Sequence, residues 1–385
     1  MRKLFKKTPL AWRQLMKEKV RLAIAIGGIA FADVLMFFQL GMLDALYDSA
    51  TNPHRKLQGD LVIVNRQVKT LIDLSSFPRT RIQQALAYEG VASAESVYVG
   101  FANWRNPDTR LEKSILVFGF DPLKPAFDLS DAEGNVEQLQ MLNRVLFDRA
   151  SRPEYGAISQ LWHKGQSEAQ VSDRLVETVG LFEMGASFGA DGNLFASDST
   201  FFNLIRDRNP DWVDIGLVEL KPDADIAATK AQLVAGLPDD VRVLTLSEFI
   251  QLEIDYWAKQ GTGFIFNLGA FVGFLVGIII VYQILYANVS EHLPEYATLK
   301  AMGYSDRYLL IMLMQEALIL AVLGFIPSFF VAIGLYQISY AATLLQIAMK
   351  SERALVVLML TILMCATSGA IAMGKLQSAD PADIF

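Results

Sequence analysis

Apolar residues gather into four long blocks, 22–46, 264–289, 308–338 and 354–373, with mixed sequence rich in strand and turn signals between the first and second. Each block exceeds the ~18 residues that a ~30 Å hydrocarbon core requires of a helix. The pattern predicts an α-helical membrane protein with four transmembrane helices plus a mixed α/β extracytoplasmic domain at 47–260. Short polar stretches at 1–21, 290–307 and 374–385 then form a basic amphipathic N-terminus, a loop and a tail. The third block is longer than a span needs and contains Pro327, which predicts a kink, a tilt or an exit from the bilayer.

Within 47–260 the hydrophobic period changes to that of strands and short helices. Stretches 60–65, 94–101, 114–120, 213–220 and 241–245 read as strands; 80–88 and 226–233 read as helices. Like elements at both ends predict a porter-like α/β core formed from 60–120 and 213–245. The stretch near 123–208, with short helices and an alternating run near 186–196, reads as an inserted subdomain. Residues 246–260 read as a helix with Ser247 as its N-cap, running toward the second span and broken at Gly261–Thr262–Gly263. Residues 43–57 extend the first span, so two helical stalks are expected.

Charge gives the spans a direction. The first 21 residues hold eight cations: Arg2, Lys3, Lys6, Lys7, Arg13, Lys17, Lys19 and Arg21. Such a cluster stays cytoplasmic. Four spans then leave both termini inside and the large domain outside, periplasmic in a cell with an inner membrane. A cleavable leader, with Ala30–Phe31–Ala32 as its site, is disfavoured because the apolar run continues through 34–46. Leu4, Phe5, Leu10, Ala11, Trp12, Leu15 and Met16 suit a helix lying along the inner leaflet. Between 46 and 260 there are 31 acidic and 21 basic residues, a net of −10 of the chain's −7, so no basic footprint for nucleic acid exists.

Composition agrees: 52% of residues are hydrophobic and 19% charged, against roughly 45–50% and 25% in soluble domains. Few polar groups interrupt the spans. Asp33 is costly in lipid and must face protein or water; a hydrogen bond to a neighbouring helix is expected, a substrate contact or proton site being the alternatives. Glu316, beside Gln315, is expected to snorkel toward the inner interface. Gly269, Gly273 and Gly277 line one helical face, either for packing within the chain or as a dimer seam. The lone Cys365, in an apolar block, reads as a small hydrophobe.

Catalytic signatures are missing. There is no phosphate-binding glycine loop, no H-E-x-x-H and no paired-cysteine motif; His54, His163 and His292 lack metal-ligand spacing. The run 183–189 (EMGASFG) is not a nucleophile elbow, and its glycines read as turns. No catalytic residue, metal or cofactor is assigned to this chain.

The loop after the second span reads SEHLPEYATLKAMGYSDR. Pro294 and Glu295 suit the first turn of a helix and Gly303 its C-cap, so 294–302 predicts a short surface helix with Tyr296, Leu299 and Met302 on one side. With four spans and a large domain between the first two, the series Glu295, Ala297, Leu299, Lys300, Ala301 and Gly303 resembles the MacB/FtsX (type VII) family of ABC transporter permeases. The fuller wording from Pro294 to Tyr304, and the ending DPADIF, look like its DevC-type branch, the permease of a cyanobacterial exporter. Family members commonly carry basic residues just before the Glu, where this chain has SEHLP.

The resemblance implies a non-catalytic permease subunit. Pro294, Glu295, Tyr296, Leu299, Lys300, Met302 and Gly303 would form the coupling helix that docks on a separate ABC ATPase (DevA/MacB-like), which holds ATP and Mg. It implies a second copy of the chain, a HlyD-like membrane fusion protein, a TolC-like outer-membrane channel and a lipid or glycolipid substrate, moved by mechanotransmission from stalk to outer domain. The competing readings are an FtsX-like signalling permease that activates a cell-wall hydrolase, a lipoprotein-releasing permease, and a membrane receptor with no ATPase.

Overall fold

The computed structural model describes residues 19–295, 298 and 302–378. The basic N-terminus up to residue 18 and the DPADIF ending lie outside the described residues. The chain divides into two compact units: an α/β unit of Ala45–Gly261 with Thr343–Gln346, and a helical unit from the remainder.

The α/β unit is built on twelve strands: β1 (Leu61–Asn65), β2 (Phe77–Pro78), β3 (Val91–Arg105), β4 (Glu112–Phe120), β5 (Glu133–Gly134), β6 (Arg144–Asp148), β7 (Glu168–Val171), β8 (Arg174–Phe182), β9 (Asn193–Ser197), β10 (Trp212–Val213), β11 (Ile215–Leu220) and β12 (Val241–Thr245). One sheet runs β12-β1-β11-β3-β4-β9-β6-β8-β5, with β7 pairing β3 and β8 off that path; β2 and β10 form a separate ribbon. Strand β1 is apolar without alternation because both its faces are covered. Leu61 and Ile63 pack with Ile82 and Leu233, from helices at Thr80–Ala85 and Ile226–Gly236. Val62 and Val64 pack with Leu217, Phe127 and Phe249.

The core strands lie where the hydrophobic pattern places them. The 123–208 stretch is inserted between the two halves of the core, and it holds more strand than its weak signals suggested. Its strands β5–β9 join the same sheet through β3, whose Val91–Val97 half pairs β11 and whose Tyr98–Arg105 half pairs β4. The joint is filled by rings: Phe182 stacks on Phe195 at 4.0 Å, and Phe127 lies 4.7 Å from Phe195. The alternating run near 186–196 is a loop leading into β9. Gly185 takes φ +90°, and the Ser187 hydroxyl accepts from Gly189 and Ala190 backbone N–H at 3.1 and 3.0 Å.

Among the described residues, four helices are long and apolar enough to cross a membrane. The first, α1 (Lys19–Arg55), extends past the apolar block. The others are α7 (Gly261–Glu291), α8 (Asp306–Thr343) and α9 (Ser351–Ser378), numbered after α2 (Thr80–Ala85), α3 (Ile158–His163), α4 (Asp198–Leu204), α5 (Ile226–Gly236) and α6 (Leu246–Lys259). Helix α6 is capped by Thr245 rather than Ser247. The Thr245 side chain accepts from Glu248 N while Glu248 accepts from Thr245 N, a capping box. Its end falls at Gln260, with ψ 155°, one residue before the expected glycines. Helix α8 continues through Pro327 to Thr343.

Candidate functional site

The loop expected to dock a partner is described in part. Tyr296, Leu299 and Lys300, with Ala297 and Ala301, lie outside the described residues. Around them the local geometry is helical: Thr298 Oγ1 donates to Pro294 O at 2.8 Å, and Met302 N donates to Thr298 O at 3.0 Å. Gly303 then takes φ +93°, a left-handed residue at which a side chain would be strained. Glu295 lies 3.3 Å from His292 Nδ1. Pro294, Glu295, Met302 and Tyr304 are exposed, with Met302 63% open, so an apolar side chain stands out from the loop. Arg21 of α1 pairs with Glu291 at 2.5 Å at the end of α7, just before this loop.

Among its described residues, the helical unit buries polar groups at several separate places. Asp33 is fully buried between α1, α8 and α9, 2.8 Å from Thr361 Oγ1 and 3.4 Å from Ser328 Oγ. Glu316 is buried on α8 and accepts from Asn288 of α7, so it does not snorkel. A partner amide within reach removes the reason to seek water. Towards the other end, Arg353 of α9 donates to Asp44 of α1, lies 5.2 Å over the Tyr336 ring, and donates to Ala348 O at 3.1 Å. The Tyr336 hydroxyl donates to Phe37 O at 2.5 Å. Sequence reasoning missed this cluster; its signal was a lone arginine between two apolar blocks.

The three glycines of α7 face the chain's own first helix. A Cβ on Gly269 would meet Gln39 at 2.5 Å, on Gly273 Leu35 at 3.3 Å, and on Gly277 Ala32 at 3.0 Å. That face is occupied by intrachain packing. Cys365 is buried in the same unit, among apolar residues that include Met364 and Leu285.

The α/β unit holds a buried polar node where α1 ends and α6 begins its last turns. Glu253, 2% exposed, accepts from Thr70 Oγ1 at 2.8 Å, Leu71 N at 2.8 Å and Trp257 Nε1 at 2.7 Å. His54 of α1 stands 3.6 Å from the same carboxyl, with its ring 4.5 Å from Phe249. Burial pushes the Glu253 carboxyl up from its ordinary value, against the three donated hydrogen bonds. Next to it, Asn52 donates to Met184 O, and buried Asp148 accepts from Met184 N, Gly185 N and Asn193 Nδ2. The EMGASFG run is thus a structural loop held to α1 and to the sheet. Its glycines serve turns and a close approach: a Cβ on Gly189 would meet Ile72 at 2.7 Å. Among the described residues no group of His, Cys, Asp and Glu is placed to hold a metal ion.

Residues 267–381 match the FtsX-like permease C-terminal family. The chain is also similar over about half its length to two solved domains. The periplasmic region of MacB from Actinobacillus actinomycetemcomitans shares 13% identity at a TM-score of 0.34, covering 51% of this chain and 92% of that one. The extracellular domain of the noncanonic ABC-type transporter YknZ from Gram-positive bacteria shares 12% identity at a TM-score of 0.33, covering 49% of this chain and 99% of that one. No curated protein sequence matches the chain.

Proposed function

We propose, from the match of residues 267–381 to the FtsX-like permease C-terminal family, that this chain is a MacB/FtsX-type ABC transporter permease and the membrane subunit of an ATP-driven tripartite exporter of the DevC type. In this reading two copies pair with two separate ABC ATPase subunits, which bind ATP and Mg and perform the hydrolysis. The loop 290–307 is cytoplasmic and receives the ATPase. The α/β unit is periplasmic and works with a HlyD-like adaptor and a TolC-like channel. The cargo is a glycolipid or another amphiphile, moved onward by displacement of the outer unit.

The observation that carries the reading is the family match over 267–381, which contains the last three spans and the whole PEYATLKAMGY loop. Supporting it are the exposed Met302 beside a Gly303 stop, and an outer unit of a size that suits export better than signalling. Affinity purification of the full chain from its native membrane, with identification of what accompanies it, tests the proposal. An ABC ATPase together with a HlyD-like adaptor is the expected result. A cell-wall hydrolase in place of the adaptor would make it a signalling permease, and recovery without any ATPase would overturn the reading altogether.

A further inference from the structure

The buried carboxyl of Asp33 has two hydroxyl neighbours, and each already has a nearer or equal claim on its proton. Thr361 Oγ1 lies 2.8 Å from Asp33 Oδ1 and also 2.8 Å from Val357 O, one turn back on its own helix. Ser328 Oγ lies 2.7 Å from Phe325 O on its own helix and 3.4 Å from Asp33 Oδ2. A hydroxyl has one proton to donate. If both hydroxyls satisfy their own helix carbonyls, an ionised Asp33 receives no hydrogen bond at all. A neutral acid solves the count, because its own hydroxyl can donate to Thr361 Oγ1.

Among the described residues no cation is placed to change that result. Between residues 22 and 43 Asp33 is the only ionisable residue. The α7 stretch 264–289 contains no acid or base, with Tyr282 and Tyr286 its only titratable groups. On α8 the stretch 308–338 contributes Glu316, Tyr308 and Tyr336, and on α9 the stretch 354–373 contributes Cys365 alone. Glu316 is twelve residues from Ser328, about 18 Å along a helix, and is held by Asn288. The Tyr336 hydroxyl is spent on Phe37 O, and Arg353 on Asp44, eleven residues or about 16 Å beyond Asp33. Asp33 is completely buried. A charge there would stand in an apolar bundle without a partner, which buried charges avoid.

We propose that Asp33 is a proton-holding site: in this bundle it stands as the neutral acid, its hydroxyl donating a hydrogen bond to Thr361 and so tying α1 to α9, with Ser328 of α8 3.4 Å away beside Pro327. The placement has a mechanical meaning. Pro327 lacks an N–H and weakens the α8 ladder at that level. Asp33 reaches α8 at the next residue, Ser328. Removal of the proton would put a bare charge where three helices meet, at the weakest point of one of them. The inference rests on the geometry of the helical unit and does not need the exporter reading.

Infrared spectroscopy of the full chain in lipid nanodiscs at neutral pH tests it. The expected spectrum contains the carbonyl stretch of a protonated carboxylic acid, with a component that Asp33→Asn removes and Glu316→Gln leaves. Thermal unfolding gives a second readout. Asn can donate its amide to Thr361 as the neutral acid does, so Asp33→Asn is expected to leave the unfolding midpoint unchanged while Asp33→Ala lowers it. A protonated-acid band that Asp33→Asn leaves intact, or an Asp33→Asn chain as destabilised as Asp33→Ala, would mean that Asp33 is an ionised acceptor and would overturn the assignment.

Discussion

The guanidinium of Arg353 holds the carboxylate of Asp44 through Nε at 2.8 Å and Nη2 at 2.5 Å, joining the start of α9 to α1 across 309 residues of sequence. Arg353 is 3% exposed at its side chain and Asp44 35%, so the pair is desolvated on one side only. Its worth lies between the ~0–1 kcal/mol of an exposed pair and the ~3–5 kcal/mol lost when one partner of a buried pair is removed. Arg353→Ala is therefore expected to cost about 2 kcal/mol, with the face of Tyr336 also uncovered. A double-mutant cycle with Asp44→Ala, read by thermal unfolding, checks the pairing. Additive losses would show that the contact contributes nothing to the bundle.

Capping of α6 gives a second prediction. Thr245→Ala removes one half of the capping box and is expected to destabilise the chain by about 1 kcal/mol. Thr245→Ser would restore most of the loss. Glu248, the other half, is held below its ordinary value by hydrogen bonds from Lys230 and from Thr245 N. A depressed carboxylate stabilises the fold above the unfolded-state value of 4.5 and loses that contribution as the pH falls through its folded value. The deficit of Glu248→Gln is thus expected to be full near pH 7 and to shrink as the pH falls below 4.5 toward the depressed folded value. A deficit independent of pH would assign the effect to packing instead.

The loop supplies a third. Leu299→Asp or Met302→Asp is expected to abolish association with the ATPase, or to leave it bound but uncoupled, with membrane insertion intact. An apolar anchor at the centre of an interface costs 2 kcal/mol or more when lost. Pull-down and coupled ATP hydrolysis in the same preparations read the outcome, and unchanged binding and transport would remove the loop from the interface.

Direction across the membrane can be read with cysteines. Ser130 and Ser305 are both exposed, and the native Cys365 is buried and should stay silent. Ser130→Cys and Ser305→Cys are expected to react with an impermeant maleimide from opposite sides of the membrane. Reaction from one side would overturn the inward placement of both termini.

Much of the architecture was legible because the periodicities that mark it are local. Four apolar blocks and strands such as Val241–Thr245 follow from windows local in sequence. The strand content of the 123–208 insert was not legible, because its strands are short and pair with β3 and β4 far away in sequence. Nothing local in Arg144–Asp148 or Asn193–Ser197 announces a shared sheet. The same holds for single residues. Asp33 was visible as an anomaly, but Ser328 and Thr361 lie 295 and 328 positions away. Glu316 was misjudged for the converse reason: distance from the span end suggested a route to water, while Asn288 stood beside it on another helix. Ser247 lost the cap to Thr245 because two neighbouring hydroxyls were eligible, and only the three-residue spacing to Glu248 decides between them.

Strand β3 has a further consequence. It is one unbroken strand paired along residues 91–97 to β11 and along residues 98–105 to β4, so a single backbone carries both parts of the sheet. Opening either half would loosen the strand on which the other half is paired. Backbone amides at the changeover, Val97 to Val99, are therefore expected to be among the slowest in the chain to exchange with deuterium, and the two halves to lose protection together as one cooperative unit. What is continuous in hydrogen bonding is then indivisible in unfolding, so partial melting of this domain starts from its loops and the short β5 and β7 strands, never from its middle.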